Sequence, residues 1–101
     1  MIVVHATVPI DPDEREDALG AARSLAEESR DEDGVVSYEV AVDADEKKLL
    51  RFFERYEDEA AFEAHASSEH FADFVSRLPG FLDGEPKLMR FEVSSATELE
   101  L

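Results

Sequence analysis

The stretch LLRFFERYEDEAAFEAHASSEHFADF, residues 49–74, decides the fold predicted for this chain. From Leu49 to Glu57 the apolar and polar residues alternate, which is typical of a strand with large hydrophobic side chains on both faces. Asp58 follows as an expected helix N-cap, so the strand leads almost directly into a helix. One face of this strand is predicted to hold Leu50, Phe52, Glu54 and Tyr56.

The helical part of this stretch is expected to break in two. His65 lies three residues after Phe62, so helical spacing places both side chains on the face toward the sheet. The serines at 67–68 interrupt the helix and can cap a second one, with His70 in its first turn. Tyr56 and His65 are therefore expected to approach one cavity from two walls. The second helix repeats apolar residues at intervals of three and four, namely Phe71, Phe74, Val75 and Leu78.

This stretch resembles the signature of the antibiotic biosynthesis monooxygenase (ABM) superfamily, which includes proteins assigned as quinol monooxygenases. The residues that carry the resemblance stand at fixed spacing and are Phe52, Phe53, Glu54, Tyr56, the run DEAA at 58–61, His65, Ser68, His70 and Phe71. The resemblance implies a ferredoxin-like fold that dimerises face to face through its sheets, with a pocket between sheet and helices in each subunit. It does not imply one reaction, because one fold hosts many functions.

The rest of the chain supplies the elements that this fold needs. Strands are predicted at Ile2–Pro9, Val35–Val42 and Gly84–Val93, and Asp11 with Pro12 is a strong start for the first helix. The expected order is βαββαβ in one ABM-like domain over residues 1–101. The class is α+β, ferredoxin-like, with an antiparallel sheet and a broken second helix.

Large hydrophobic side chains are predicted on both faces of the four-stranded sheet, and two helices cannot cover both faces. A second subunit is the simplest cover for the open face, which predicts a homodimer, a dimeric α/β barrel in the terms of the resemblance.

The composition excludes several classes of partner. The chain has 26 acidic and 10 basic residues and a formal net charge of -16, so nucleic acid and anionic membrane surfaces would repel it. Such a charge resembles that of proteins from salt-loving archaea. The absence of cysteine and of a long apolar stretch leads us to expect a soluble, cytoplasmic protein.

The candidate site residues each have a functional and a structural interpretation. His65 is the best candidate for a catalytic base, or else a helix histidine that only fills space. Tyr56, also predicted to be catalytic, and Tyr38 could hydrogen-bond a substrate oxygen, or could lie at the core edge with a wet hydroxyl. The aromatic residues predicted to line the substrate pocket and exclude water are Phe52, Phe62, Phe71 and Phe74.

Glu54 lies mid-strand, where an unpaired carboxylate would be costly. It either pairs with an arginine or has a raised pKa in the substrate pocket, and the ion pair, within the chain or across a dimer, is the favoured interpretation. The arginines considered are Arg51, Arg55 and Arg90.

A metal site is not expected from the sequence. His65 and His70 stand five residues apart across the helix break, no third ligand lies close to them in sequence, and His70 is interpreted as a capping-turn residue. The chain has no Gly-rich phosphate loop, so no nucleotide or flavin cofactor is predicted either.

The resemblance implies a cofactor-independent monooxygenase that oxidises a small aromatic phenol or quinol with dioxygen. Haem cleavage is disfavoured, because the chain has no Trp and no Asn and so lacks the Asn-Trp-His set of haem-degrading relatives. An isomerase of the same superfamily and a non-catalytic dimeric ligand-binding or stress protein are the alternatives.

Overall fold

The structure is a computed structural model that describes residues 1–101 and has the predicted βαββαβ order. Its strands and helices are β1 (Ile2–Pro9), α1 (Arg15–Arg30), β2 (Val35–Val42), β3 (Leu49–Tyr56), α2 (Glu59–Ala66), α3 (Glu69–Arg77) and β4 (Lys87–Glu92), with 3-10 turns at Pro12–Glu14 and Leu78–Gly80. The predicted ferredoxin-like α+β class and the break in the second helix are confirmed. No helix is long and apolar enough to cross a bilayer.

The four strands form one antiparallel sheet in the order β2-β3-β1-β4. Because side chains alternate across a strand, the helix-facing side of β3 joins the inward side of β1 in one buried layer. Val4 stands opposite Glu54, and Ala6 opposite Phe52. Small residues on α1 lie against this layer and let the helix approach the sheet closely; they are Ala18, Ala21, Ala22 and Ala26.

The helix break has a clear local cause. The Asp58 side chain accepts a hydrogen bond from the Ala61 amide and starts α2. The Ser68 hydroxyl then donates to the carbonyl of His65 at 2.7 Å and accepts from the Phe71 amide at 3.3 Å, which ends one helix and begins the next. As a result, His65 at the end of α2 and His70 at the start of α3 have ring centroids only 6.0 Å apart.

The turn after α1 brings its end against α2. Gly34 has φ 83°, and a Cβ at that position would lie 2.6 Å from the Cβ of Ala61, so glycine is required both by the backbone and by the close approach. The Glu57 amide donates to the Gly34 carbonyl at 2.8 Å. This contact places the end of α1, with Glu32, beside the helix break.

The open face of the sheet carries exposed hydrophobic side chains. Phe53 on β3 is 42% exposed, and Met89 and Phe91 on the edge strand β4 are 59% and 44% exposed. The last strand is shorter than the predicted Gly84–Val93, since pairing with β1 begins only after Pro86, which has no amide hydrogen to donate.

Candidate functional site

A cavity lies between the sheet and helices α1 and α3. Its volume of about 170 Å³ is below the ~300 Å³ at which pockets for drug-sized ligands begin, so it suits a small molecule. It reaches the surface beside Leu88 and Val75, which are both exposed. The lining residues are Ala6, Val8, Leu25, Tyr38, Phe52, Glu54, Phe71, Phe74, Val75, Leu78, Pro86 and Leu88.

Glu54 supplies the only carboxyl group in this largely apolar lining. The residue is only 6% exposed, and its carboxylate accepts a hydrogen bond from the Tyr56 hydroxyl at 2.6 Å. Burial raises the pKa of Glu54 from its ordinary value of 4.5 to about 7, although hydrogen bonds from Tyr56 and Tyr38 work against this shift. A carboxyl group with this pKa can both accept and return a proton near neutral pH.

The ion pair expected for Glu54 within the chain is wrong. Arg51 binds Asp43 at 2.8 Å and Arg55 binds Ser37 at 2.8 Å, and both arginines belong to the opposite face of β3. Arg90 instead pairs with Glu59 and Glu92 at the sheet edge. The alternative interpretation, a raised pKa in an apolar pocket, is the one that the structure supports.

The raised pKa of Glu54 makes stability depend on pH. Because the folded-state pKa of about 7 lies above the ordinary 4.5, the protein gains stability from protonated Glu54 below pH 4.5 and loses it as pH rises toward 7. The loss should total about 3 kcal/mol in the free energy of unfolding. Denaturant unfolding of the wild type and of Glu54→Gln across this pH range measures the loss. The difference between the two free energies of unfolding isolates the contribution of Glu54, because the acidic surface contributes equally to both proteins. Equal pH profiles for the two proteins would contradict the assignment.

Two tyrosines surround Glu54. Both are fully buried, and burial, reinforced by the Glu54 carboxylate, raises the pKa of each hydroxyl well above its usual range. They therefore remain protonated hydrogen-bond donors at neutral pH. Tyr38 lines the cavity, whereas Tyr56 lies outside the lining and packs edge-on against Phe62 with ring centroids 5.5 Å apart.

His65 is 2% exposed and lies one side chain behind the cavity wall. Its ring centroid is 5.2 Å from that of Tyr38, 5.5 Å from Tyr56 and 5.0 Å from Phe71. Burial lowers the pKa of His65, while Glu32 opposes that effect. Nδ1 lies 2.8 Å from a Glu32 carboxylate oxygen, and Nε2 is buried without a partner.

His70 and Glu32 form a cluster with His65 that the sequence did not predict. His70 Nε2 lies 2.6 Å from the same Glu32 oxygen that His65 contacts. Ser68 caps α3 and His70 lies in the first turn of that helix, as predicted, but the contact of its ring with Glu32 was not predicted. No local signal marks Glu32, which reaches the histidines from 33 and 38 positions away.

The structure thus divides the predicted site residues into two groups. Those that line the cavity are Tyr38, Phe52, Glu54, Phe71 and Phe74. Those that lie behind or beside its wall are His65, Tyr56 and Phe62. Phe62 is covered by the guanidinium of Arg90, 4.8 Å from its ring centroid.

Fold and cavity together define a ferredoxin-like α+β protein with a small-molecule pocket between sheet and helices. The sequence profile of the antibiotic biosynthesis monooxygenase family, ABM, matches residues 1–77. The chain therefore belongs to the ABM family.

Individual relatives agree with this assignment. YcnE of Bacillus subtilis, a protein named as a monooxygenase, is 33% identical to this chain over 94 residues. The aligned region covers 93% of this chain and 99% of YcnE. The crystal structure of PA3566 from Pseudomonas aeruginosa matches with a TM-score of 0.84 and 26% identity over 93% of this chain and 94% of its own. The structure of Rv0793 from Mycobacterium tuberculosis matches with a TM-score of 0.89 and covers 96% of this chain and 98% of its own chain. Because the sequences are only 24% identical, this match supports the fold alone.

Proposed function

We propose that this protein is a cofactor-independent monooxygenase that oxidises a small phenol or hydroquinone with dioxygen. The observation that carries the proposal is Glu54, a buried carboxyl group with a pKa of about 7 in an otherwise apolar cavity. Such a group can deprotonate a phenol at neutral pH and can return the proton later. Membership of the ABM family and the similarity to YcnE support a monooxygenase-type reaction.

The chemistry balances without an added reductant. Glu54 takes a proton from the phenolic hydroxyl, and the resulting anion transfers electrons to dioxygen. A carbon–oxygen bond forms at a ring carbon and gives a peroxide anion, which takes the proton back from Glu54 and becomes a hydroperoxide. The same ring carbon then loses its hydrogen as a proton while the oxygen–oxygen bond breaks and hydroxide departs, so that water is released and the hydroquinone becomes a hydroxyquinone. One oxygen atom enters the substrate, the other leaves as water, and the substrate supplies all the electrons.

The aromatic residues in and around the cavity have supporting roles in this proposal. Tyr38 donates a hydrogen bond to a substrate oxygen from the cavity wall, and Tyr56 orients the carboxylate of Glu54 through the 2.6 Å hydrogen bond. The aromatic rings of Phe52, Phe71 and Phe74 exclude water from the reactive anion. Phe62 supports the site indirectly, because it packs on Tyr56.

The rival functions make different demands on the same cavity. An isomerase of phosphorylated sugars would need cationic side chains in the lining, and the lining contains none. A non-catalytic binding protein would bind a hydroquinone without consuming oxygen. Following dissolved oxygen while the purified protein is incubated with a series of hydroquinones tests the proposal, and oxygen uptake no faster than in protein-free buffer would contradict it.

His65, predicted from the sequence to be the catalytic base, stays a prediction that mutation can test. A base must come within hydrogen-bond reach of the proton that it removes, and Tyr38 and Phe71 lie between His65 and the cavity. We therefore expect His65→Gln to lower the free energy of unfolding by about 1–3 kcal/mol and to change turnover per folded molecule only a few-fold. Denaturant unfolding and steady-state kinetics on one preparation measure both. A loss of turnover of about 10²-fold or more would instead establish His65 as the base.

We also propose that the protein acts as a homodimer joined through the open face of the sheet. Phe53 and Met89 flank His5 on this face and Phe91 lies further along β4, all three are exposed, and a second copy packed on the face would remove them from water. Each subunit would keep its own cavity, because the cavity lies on the helix side of the sheet.

The net charge of -16 supports a working environment of high salt, as in a halophilic archaeon. We expect the thermal midpoint to rise as KCl increases from 0.1 M to about 2 M, since the Debye length falls from ~10 Å at 0.1 M to ~3 Å at 1 M and repulsion among the carboxylates weakens. Thermal denaturation at several KCl concentrations measures this. A midpoint that is flat or falls with salt would contradict the proposed adaptation.

A further inference from the structure

We propose that Glu32, His65 and His70 form a binding site for one divalent transition metal ion of the zinc type. Each residue offers one ligand atom, and the three atoms lie within 4.8 Å of one another. Two imidazole nitrogens and one carboxylate oxygen are a donor set that zinc binds, with a fourth position left for water. This site is separate from the cavity and goes beyond the proposed oxidation.

The distances fit a site that closes around an ion. In the metal-free geometry one Glu32 oxygen accepts hydrogen bonds from His65 Nδ1 at 2.8 Å and from His70 Nε2 at 2.6 Å. The same two nitrogens become ligands when they lose these protons. Small side-chain rotations would then allow zinc–ligand distances of about 2.0–2.2 Å. The Glu32 carboxylate would move away from the two nitrogens, and both imidazole rings would turn toward the ion between the three residues.

The fold holds the ligands from three different elements. Glu32 stands in the turn after α1, His65 ends α2 and His70 begins α3. His65 is buried and fixed by the surrounding aromatic rings, whereas the side chains of His70 and Glu32 are 20% and 15% exposed, so an ion can reach the site from solvent. Glu28 lies 3.8 Å from the remaining nitrogen of His70 and its side chain is 61% exposed, so a small rotation would bring its carboxylate within hydrogen-bond distance, where it could orient a ligating imidazole.

The expected role of the ion is to brace the protein. It would tie the end of α1 to the helix break, next to Phe71, whose ring contacts both His65 and the cavity. Tyr38 and Phe71 separate the site from the cavity, so the bound ion does not touch the substrate. The ion should therefore raise thermal stability, and turnover should survive its removal.

Titration calorimetry with Zn²⁺ on the chelator-stripped full chain tests the proposal. The buffer should contain about 1 M KCl and excess Mg²⁺, because the acidic surface attracts any cation. We expect one Zn²⁺ per chain, a rise in the thermal midpoint, and intense visible absorption when Co²⁺ replaces Zn²⁺. Loss of one ligand in His70→Ala or Glu32→Gln should weaken Zn²⁺ binding by about 10²-fold or more. Mutation of residues that only hydrogen-bond to a metal ligand can already reduce metal affinity by about 10²-fold, so loss of a ligand itself should cost at least as much.

The third histidine provides the matched control. His5 lies on β1, opposite Phe53 and Met89 on the open sheet face, so His5→Ala should bind Zn²⁺ as the wild type does. Circular dichroism shows that each variant is folded before its affinity is compared. No binding by the wild type, or equal binding by His70→Ala, Glu32→Gln and the wild type, would overturn the proposal. Loss of turnover on stripping the metal would overturn the bracing role.

Discussion

Replacement of Glu54 by glutamine is expected to lower turnover of a hydroquinone by about 10²- to 10⁴-fold, the usual contribution of a positioned base. Glutamine has nearly the same shape and can still accept the hydrogen bond from Tyr56, but it cannot take up a proton. The fold should survive, since the substitution removes a buried ionisable group from a site that is only 6% exposed. Steady-state oxygen consumption, normalised to folded protein, measures the effect.

The pH dependence separates a base from a packing residue. If Glu54 must be ionised to act, the wild-type rate should rise as pH increases through about 7 and then level off, and Glu54→Gln should lose this rise. Glu63→Gln is the matched control, because Glu63 is an exposed residue on α2. Undiminished turnover in Glu54→Gln would contradict the role assigned to Glu54, although the protein could still be a monooxygenase with a different base.

Replacement of Phe53 by glutamate is expected to convert the proposed dimer into a monomer. Phe53 lies on β3 in the open face and is 42% exposed in the single chain. By two-fold symmetry the substitution would bury two unpaired charges in one interface, which should raise the dissociation constant by about 10³-fold. Sedimentation or light scattering across a range of protein concentrations in high salt measures it.

The control for this substitution adds the same charge elsewhere. Ala72 is exposed on α3, on the helix side, so Ala72→Glu should remain dimeric. A monomeric wild type at micromolar concentration in high salt, or a Phe53→Glu variant that associates as strongly as the wild type, would rule out the sheet-face dimer.

The sequence predicted those parts of the fold that depend on local pattern. Alternation along residues 49–56 defines the buried face of β3, and the serines at 67–68 predict the helix break, because a serine hydroxyl can cap a helix from within the same few residues. The same alternation places Arg51 and Arg55 on the face opposite Glu54. The ion pair predicted for Glu54 could therefore have been rejected for these two arginines from the sequence.

The cluster around Glu32 depends on tertiary contacts, so the sequence could not predict it. Its position beside His65 and His70 follows from the turn at Gly34, where close packing on Ala61 brings the end of α1 to the helix break. Likewise, helical spacing placed His65 toward the sheet correctly, but whether it lines the cavity depends on where the rings of Tyr38 and Phe71 lie. Side chains from distant elements decide that question.

The central proposal is that Glu54 drives oxidation of a small hydroquinone by dioxygen with no added cofactor. Its most direct test is oxygen uptake by chelator-stripped protein in high salt, with product identified by mass, in wild type and Glu54→Gln. We expect the wild type to consume one dioxygen per hydroxyquinone formed, and the variant to react about 10²-fold or more slowly. Oxygen uptake by the wild type no faster than in buffer alone, for every hydroquinone that binds, would contradict it.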